Sequence, residues 1–542
     1  MRDRLYPYLH VCNAGPAPSI ATWLRPSYPA VPSSSRVMHP VLQIDEILVD
    51  ILSTVDRASL RSLGLACKTF YEPAMNALWY RIHSLVPLLA CLPEDAVERD
   101  EHGSVDWNSC IPRALTSTDW ARFEAHAWRV REYIVVIGYR YYPSLFDLSH
   151  AMSLAIIAHF GDRPMLPNLL KFENEHIGLC TKDAQLLLKP PVAVRVARLD
   201  SKSGDDTTGA LIANLLIIRD LDGIEELSVG AHEAMSSELF LLAGMPRLTY
   251  LSIVINDSWV TPDWMSQFST LPAGSFSALR TLKYSSTALD TGIGAGRGDI
   301  EQFLTTLDTF LAKATSCMPF SCLMVKFHRA KWHSQYEDKL HMLCSCIAMH
   351  CPTLESLVIT TDKGKPSARA VLPLCNIRGL HTLKLARILP SDLTPDAIRT
   401  MGAAWPHLRE LHLGTKHPDP GITATVTMLH ALLDALPALA VLGLPVRAHN
   451  ALGHSAPEQL AAATRPIVPH AALRLLDLGR VYVPDFGIEQ FAAALVRLAP
   501  AAEVRSSWLH ARSSQAEYHV KQERNARVLA QRVSELARER QL

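Results

Sequence analysis

The sequence predicts an α/β chain: a small three-helix unit at the N-terminal end, followed by an irregular repeat solenoid built on a parallel sheet. Two observations predict it. A six-residue pattern with apolar first, fourth and sixth positions recurs eight times after residue 220. Ahead of it, Ile44, Ile47, Leu48, Ile51, Leu52 and Val55 fall at i, i+3, i+4, i+7, i+8 and i+11, one stripe of an amphipathic helix. The length of 542 residues points to more than one domain, and 48% hydrophobic content excludes a mostly disordered chain.

Residues 1–37 carry Arg2 and Arg4 but no continuous apolar core, so they make a poor signal peptide. Residues 14–36 are rich in Pro, Ala and Ser, and the whole segment is expected to be a disordered, dispensable extension ahead of Met38. Residues 38–82 form the helical unit. Asp45, Glu46 and Asp50 lie off the apolar stripe, near an N-terminus whose dipole favours acids. Asp56 is placed to cap a second helix carrying Leu60, Leu63, Cys67 and Phe70. Pro73 suits the first turn of a third helix, with Ala74, Ala77, Leu78 and Trp79. About forty residues cannot bury that much apolar surface alone, so the unit is built to dock.

The order Ile44-Asp-Glu-Ile-Leu, Ile51-Leu, Val55-Asp-Arg-Ala-Ser-Leu, Leu65-Ala-Cys-Lys-Thr-Phe and Ala77-Leu-Trp resembles an F-box, most of all those of fungi. Two positions depart from the family pattern. Asp45 stands where Pro is usual, and Phe70 where the aromatic is often Trp. The resemblance implies a non-enzymatic substrate receptor of an SCF-type cullin–RING ubiquitin ligase, in which the F-box binds a Skp-type adaptor and a second domain binds a protein client. Carried over position by position, it makes Ile44, Ile47, Leu48, Ile51, Leu52, Leu60, Leu65, Cys67, Phe70, Leu78 and Trp79 the adaptor-facing residues. A leucine-rich scaffold without ligase association is the alternative reading.

Residues 83–165 read as a helical linker and solenoid cap. Leu85, Leu88, Leu89 and Leu92 continue the helical pattern, and Trp120, Phe123, Ala127 and Val130 share one helix face. From 166 to 510 the hexads start at Ile224, Leu248, Leu279, Leu354, Leu380, Leu408, Leu439 and Leu473, with weaker copies near Leu169, Val196 and Phe320. Pro often stands two residues ahead, as at Pro246, Pro352, Pro406 and Pro437. The last four intervals are 26, 28, 31 and 34 residues, at or above the span of leucine-rich repeats. Neither a short strand nor the helix after it buries itself, so stacking makes one core. Strand residues between the buried ones would line the concave face and meet the client: Tyr250, Lys283, Val358, Lys384, Glu410 and His412. Residues 511–542, dense in charge, read as an exposed helix or frayed tail.

The remaining chemistry is sparse. Lys plus Arg and Asp plus Glu number 53 each, which gives no electrostatic argument for nucleic acid or a membrane surface. No apolar run is long enough to span a bilayer. Eleven cysteines without framework spacing, and the poor signal peptide, imply reduced thiols in cytosol or nucleus. The run from His341 to Cys351 holds five potential metal ligands, but Cys344 and Cys346 point to different helix faces and no second pair follows. Gly292 to Gly298 lacks the phosphate-loop register. No catalytic residue, cofactor site or metal site is assigned.

Overall fold

The structure is a computed structural model. It describes residues 45–66, 68–96, 113–135, 150–174, 186–190, 192–199, 215–231, 242–255, 275–287, 304, 307–308, 310–312, 320–328, 336–360, 368–386, 393–414, 424–446, 469–478, 488–505 and 516–541. Residues 1–37, Ile44, Cys67 and the Gly292–Gly298 loop lie outside them. The chain divides into two compact units, Met1–Ser228 and Val229–Leu542.

The first unit opens with helices α1 (Asp45–Ser53), α2 (Arg57–Ala66) and α3 (Lys68–Trp79). Asp56 caps α2 as its position predicts: its carboxylate accepts the Ala58 and Ser59 amides at 3.0 and 3.1 Å and the Ser59 hydroxyl at 2.6 Å. These bonds hold the Asp56 carboxyl below its usual range, the Ser59 hydroxyl foremost. The third helix differs from expectation. It starts at Lys68, so Phe70 belongs to it rather than to α2, and Pro73 lies inside it. The missing N–H there removes one helix bond. Packing compensates, because Ala74 next to it is wholly buried against α2, where Gly64 leaves room. A Cβ on Gly64 would meet the Ala74 Cβ at 3.6 Å, an ordinary contact. Gly64→Ala should therefore raise the stability of this unit by about 0.5–1 kcal/mol through helix propensity, read as a higher melting midpoint.

Repeats begin much earlier than residue 166. Strand β1 (Arg81–Ile82) starts one residue after Tyr80, and β2 (Glu132–Val135) pairs with it in parallel. Between them lie α4 (Val86–Leu89) and α5 (Ala121–Ala127). Trp120, Phe123, Ala127 and Val130 are all buried as their spacing predicts, although Val130 lies beyond the helix end. Then come α6 (His150–Phe160), β3 (Lys171–Asn174) and β4 (Val196–Leu199), each strand parallel to the one before. The segment expected to be a helical linker thus carries sheet, and Val130 and Tyr133 occupy the first and fourth hexad positions. Strand β5 (Glu226–Ala231) crosses the division between units.

In the second unit the strands are β6 (Tyr250–Ile255), β7 (Thr281–Thr287), β8 (Cys322–His328), β9 (Ser356–Thr360) and β10 (Thr382–Ala386), then β11 (Glu410–Leu413), β12 (Val441–Gly443), β13 (Leu475–Asp477) and β14 (Glu503–Arg505). Order in the sheet is order along the chain. The helices are α7 (Tyr336–His350), α8 (Ala368–Val371), α9 (Pro395–Ala404), α10 (Val426–Ala435), α11 (Ile488–Leu498) and α12 (Ala516–Gln541). The register explains the hexad. Leu251, Leu282, Leu323, Leu357, Leu383, Leu411, Leu442 and Leu476 pair in one row, each no more than 1% exposed. The sixth positions Ile253, Tyr284, Val325, Ile359, Leu385 and Leu413 make a second buried row.

Turns between repeats follow the prolines. Leu354, Leu408 and Leu439 donate back to the carbonyls of Cys351, Trp405 and Leu436 at 3.1–3.3 Å, so Pro352, Pro406 and Pro437 take the second turn position, which suits their fixed φ. The copy at Leu473 has no such proline. There the buried His470 ring accepts the Leu473 amide at 3.1 Å and bonds the Leu436 carbonyl at 3.0 Å. At the C-terminal end, α12 departs from an exposed or frayed helix. Ala526, Leu529 and Val533 are buried on it, and Arg532 pairs with Glu489 of α11 at 2.8 Å. Its small apolar stripe at i, i+3 and i+7 is outnumbered by charges, which is why the segment reads as polar.

Candidate protein-binding surfaces

Two surfaces, one in each unit, carry the residues that sequence reasoning assigns to partners. The first is the three-helix unit. Leu48, Leu52 and Leu60, 5%, 2% and 4% exposed, pack together, with Val55, Leu63, Phe70 and Ala77 around them. This corrects their assignment as adaptor-facing. A leucine buried to that degree presents nothing to a partner; these three hold the helices to one another. Phe70 joins that core at its edge. The residues left facing outward are Ile47, Ile51 and Leu65, at 37%, 44% and 71% exposure. Val49 and Tyr71, 57% and 42% exposed, were not anticipated, because Val49 lies off the stripe and Tyr71 lies where the third helix was not expected to have begun. Leu78 is half-buried.

Trp79 is also committed internally. Its indole stacks on the His126 ring, with centroids 4.5 Å apart and planes 14° from parallel. Around this stack the helices are tied to the first repeats. Arg57 donates to the Arg81 carbonyl at 2.6 Å, Arg129 pairs with Glu72 at 2.7 Å, and Arg129 also donates to the Asn76 side chain. The Trp79 Nε1 and His126 Nδ1 are buried without a partner among the described residues. Burial of the His126 ring, with the Arg129 and Arg122 cations nearby, pulls its pKa from 6.5 down to about 4. Between those values the unfolded chain holds a proton that the folded chain does not, so stability is present above pH 6.5 and is lost as pH falls toward 4. Moving from pH 7 to pH 5 should cost the first unit about 1 kcal/mol from this group, because the part of the ring open to water is screened. Urea unfolding at the two pH values checks this, and His126→Phe should flatten the difference.

The second surface is the outward face of the strands in the second unit. Lys283, Val358, Lys384 and His412 belong to one register row, which runs from Ser252 through Met324 to Gly443 and Asp477. Tyr250 and Glu410 belong to the neighbouring row, with Thr281, Cys322, Ser356 and Thr382. All six expected client residues are half-buried rather than fully exposed, while Ser252 is 1% exposed and offers nothing. The face has a charged centre. Glu410 accepts from the Lys384 ammonium and from His412 Nε2, each at 2.9 Å. Burial pushes the Glu410 carboxyl up, but the bonds from Lys384 and His412 outweigh it and leave the group below its usual range. The mixed signs suit a polar protein surface.

Residues 45–84 match the F-box-like family model. They form an F-box-like domain. It covers the three helices and β1, and so ends within the first strand pair rather than before it. No curated protein sequence matches the chain. Solved structures similar to it include the leucine-rich repeat-containing protein LegL7 from Legionella pneumophila, 16% identical over 68% of this chain and 93% of that one, with a TM-score of 0.32. A leucine-rich-repeat protein from Leptospira interrogans is 12% identical over 78% and 99% of the two chains, with a TM-score of 0.25.

Proposed function

We propose that this protein is the substrate receptor of an SCF-type cullin–RING ubiquitin ligase, working in the cytosol or nucleus. One observation carries the reading. Within the F-box-like domain a complete small core has formed from Leu48, Leu52 and Leu60, and yet Ile47, Val49, Ile51 and Leu65 remain in water. Apolar side chains left outside a finished core mark a surface that a partner covers. The partner is a Skp-type adaptor, whose helices take the exposed isoleucines and Leu65 as anchors.

The repeats hold the client. Tyr250, Lys283, Val358, Lys384, Glu410 and His412 contact it, and the ligase acts because the client's lysines are kept at high effective concentration near the charged ubiquitin carrier. The receptor contributes position and no covalent chemistry. Ties from Arg57, Arg129 and Trp79 matter for this role, since they join the adaptor-binding helices to the first repeats without a loose linker.

Co-expression of the tagged full-length chain with a Skp-type adaptor and a cullin tests the reading. Recovery of both in one complex supports it. Recovery of the folded chain without the adaptor overturns it and leaves a binding scaffold.

A further inference from the structure

Helix α7 brings together side chains that the proposed receptor role does not use. Cys346 and His350 stand one turn apart at i and i+4 on α7, so their side chains share a face. Asp308 reaches the same point from the helical stretch that precedes β8. The Cys346 sulfur, a His350 ring nitrogen and an Asp308 carboxylate oxygen all lie within 4.8 Å of one another. His350 Nε2 is 3.0 Å from Asp308 Oδ1. Burial grades outward: Cys346 is 9% exposed, the His350 side chain 19% and the Asp308 side chain 52%.

We propose that Asp308, Cys346 and His350 form a zinc-class metal site that clips the helical segments of two consecutive repeats together. Bonds of about 2.0–2.3 Å in a tetrahedron put ligand atoms about 3.3–3.7 Å apart. The observed separations, from 3.0 Å up to 4.8 Å, bracket that range, so rotamer adjustments suffice to close the site. A thiolate, an imidazole and a carboxylate suit Zn²⁺, whereas Ca²⁺ and Mg²⁺ take oxygen ligands. One thiolate and one carboxylate balance the charge of a divalent ion. Binding releases the thiol proton of Cys346 to solvent and leaves His350 neutral. The half-exposed Asp308 side leaves the fourth position to water. Asp308 lies 38 residues before Cys346 in the chain, and only the stacking of repeats brings the two together.

Zinc content and Co²⁺ absorption of the purified full-length chain test the site. The expected result is one equivalent of zinc and a near-ultraviolet sulfur-to-cobalt band on Co²⁺ loading. The band should survive Cys351→Ser and disappear in Cys346→Ser. Asp308→Asn, a change at a half-exposed position that spares the fold, should weaken zinc binding by roughly tenfold or more. Absence of zinc uptake by the wild-type chain, or a cobalt band that persists without Cys346, would overturn the proposal and leave an ion pair beside a buried thiol.

Discussion

Ile51→Asp and Leu65→Asp should each weaken adaptor binding by about 30-fold, which corresponds to about 2 kcal/mol for an anchor in a desolvated contact. Together they should abolish co-purification. Both side chains are exposed in the isolated chain, at 44% and 71%, so the substitutions should leave the melting midpoint almost unchanged. That separation makes the test informative. Leu48→Asp or Leu52→Asp would also end binding, but by putting a charge into the motif's own core. Trp79→Ala is ambiguous for a related reason, since it removes the stack on His126 that ties the helices to the repeats. Pull-down of the adaptor, with circular dichroism on the same samples, reads both quantities.

Gly402→Ala should destabilise the second unit by about 3 kcal/mol, against the sign that helix propensity predicts. Gly402 lies within α9, where alanine would ordinarily gain about 1 kcal/mol. Here α9 meets the end of α10 too closely for any side chain. A Cβ on Gly402 would overlap the Ala435 carbonyl oxygen and come within 2.8 Å of the Ala435 Cβ. Backbone cannot swing aside as a long side chain can, so the helices must separate. The contrast with Gly64→Ala is the useful part: the same substitution in two helices should move the melting midpoint in opposite directions. A neutral or stabilising Gly402→Ala would mean that α9 and α10 are not packed this closely.

Much of the fold was legible because the repeat signal is carried by burial. The first, fourth and sixth hexad residues, such as Leu408, Leu411 and Leu413, are fully buried, and nothing polar can replace them. The prolines were legible because they occupy a turn position that needs their φ. Strands β1 and β2 were missed where the code is degenerate. Val130 and Tyr133 hold hexad positions, but an aromatic replaces the central leucine and Val130 also completes a plausible helix face. Helix α12 was misjudged because its buried stripe of Ala526, Leu529 and Val533 is short and surrounded by charge.

The candidate site was legible only as a segment. Periodicity shows that Ile47, Leu48, Ile51 and Leu52 are one side of a helix. It does not show which of them the unit keeps for itself and which it offers. That division depends on where α2 and α3 cross α1, a tertiary matter that left Leu48 and Leu52 inside and Ile47 and Ile51 outside. On the strand face the alternation places Lys384, Glu410 and His412, but it does not show that Glu410 bonds Lys384 on the neighbouring strand and His412 on its own. The metal triad was beyond reach, since one of its members lies outside the cysteine-rich run that draws attention.

The most direct test of the central claim is a calorimetric titration of a purified Skp-type adaptor into the full-length chain, with the Ile51→Asp, Leu65→Asp double variant as control. The account predicts a saturable one-to-one complex with a Kd of about 1 μM or tighter, lost in the variant. No binding by the wild-type chain at roughly 100 μM adaptor, or equal binding by the folded variant, would contradict it.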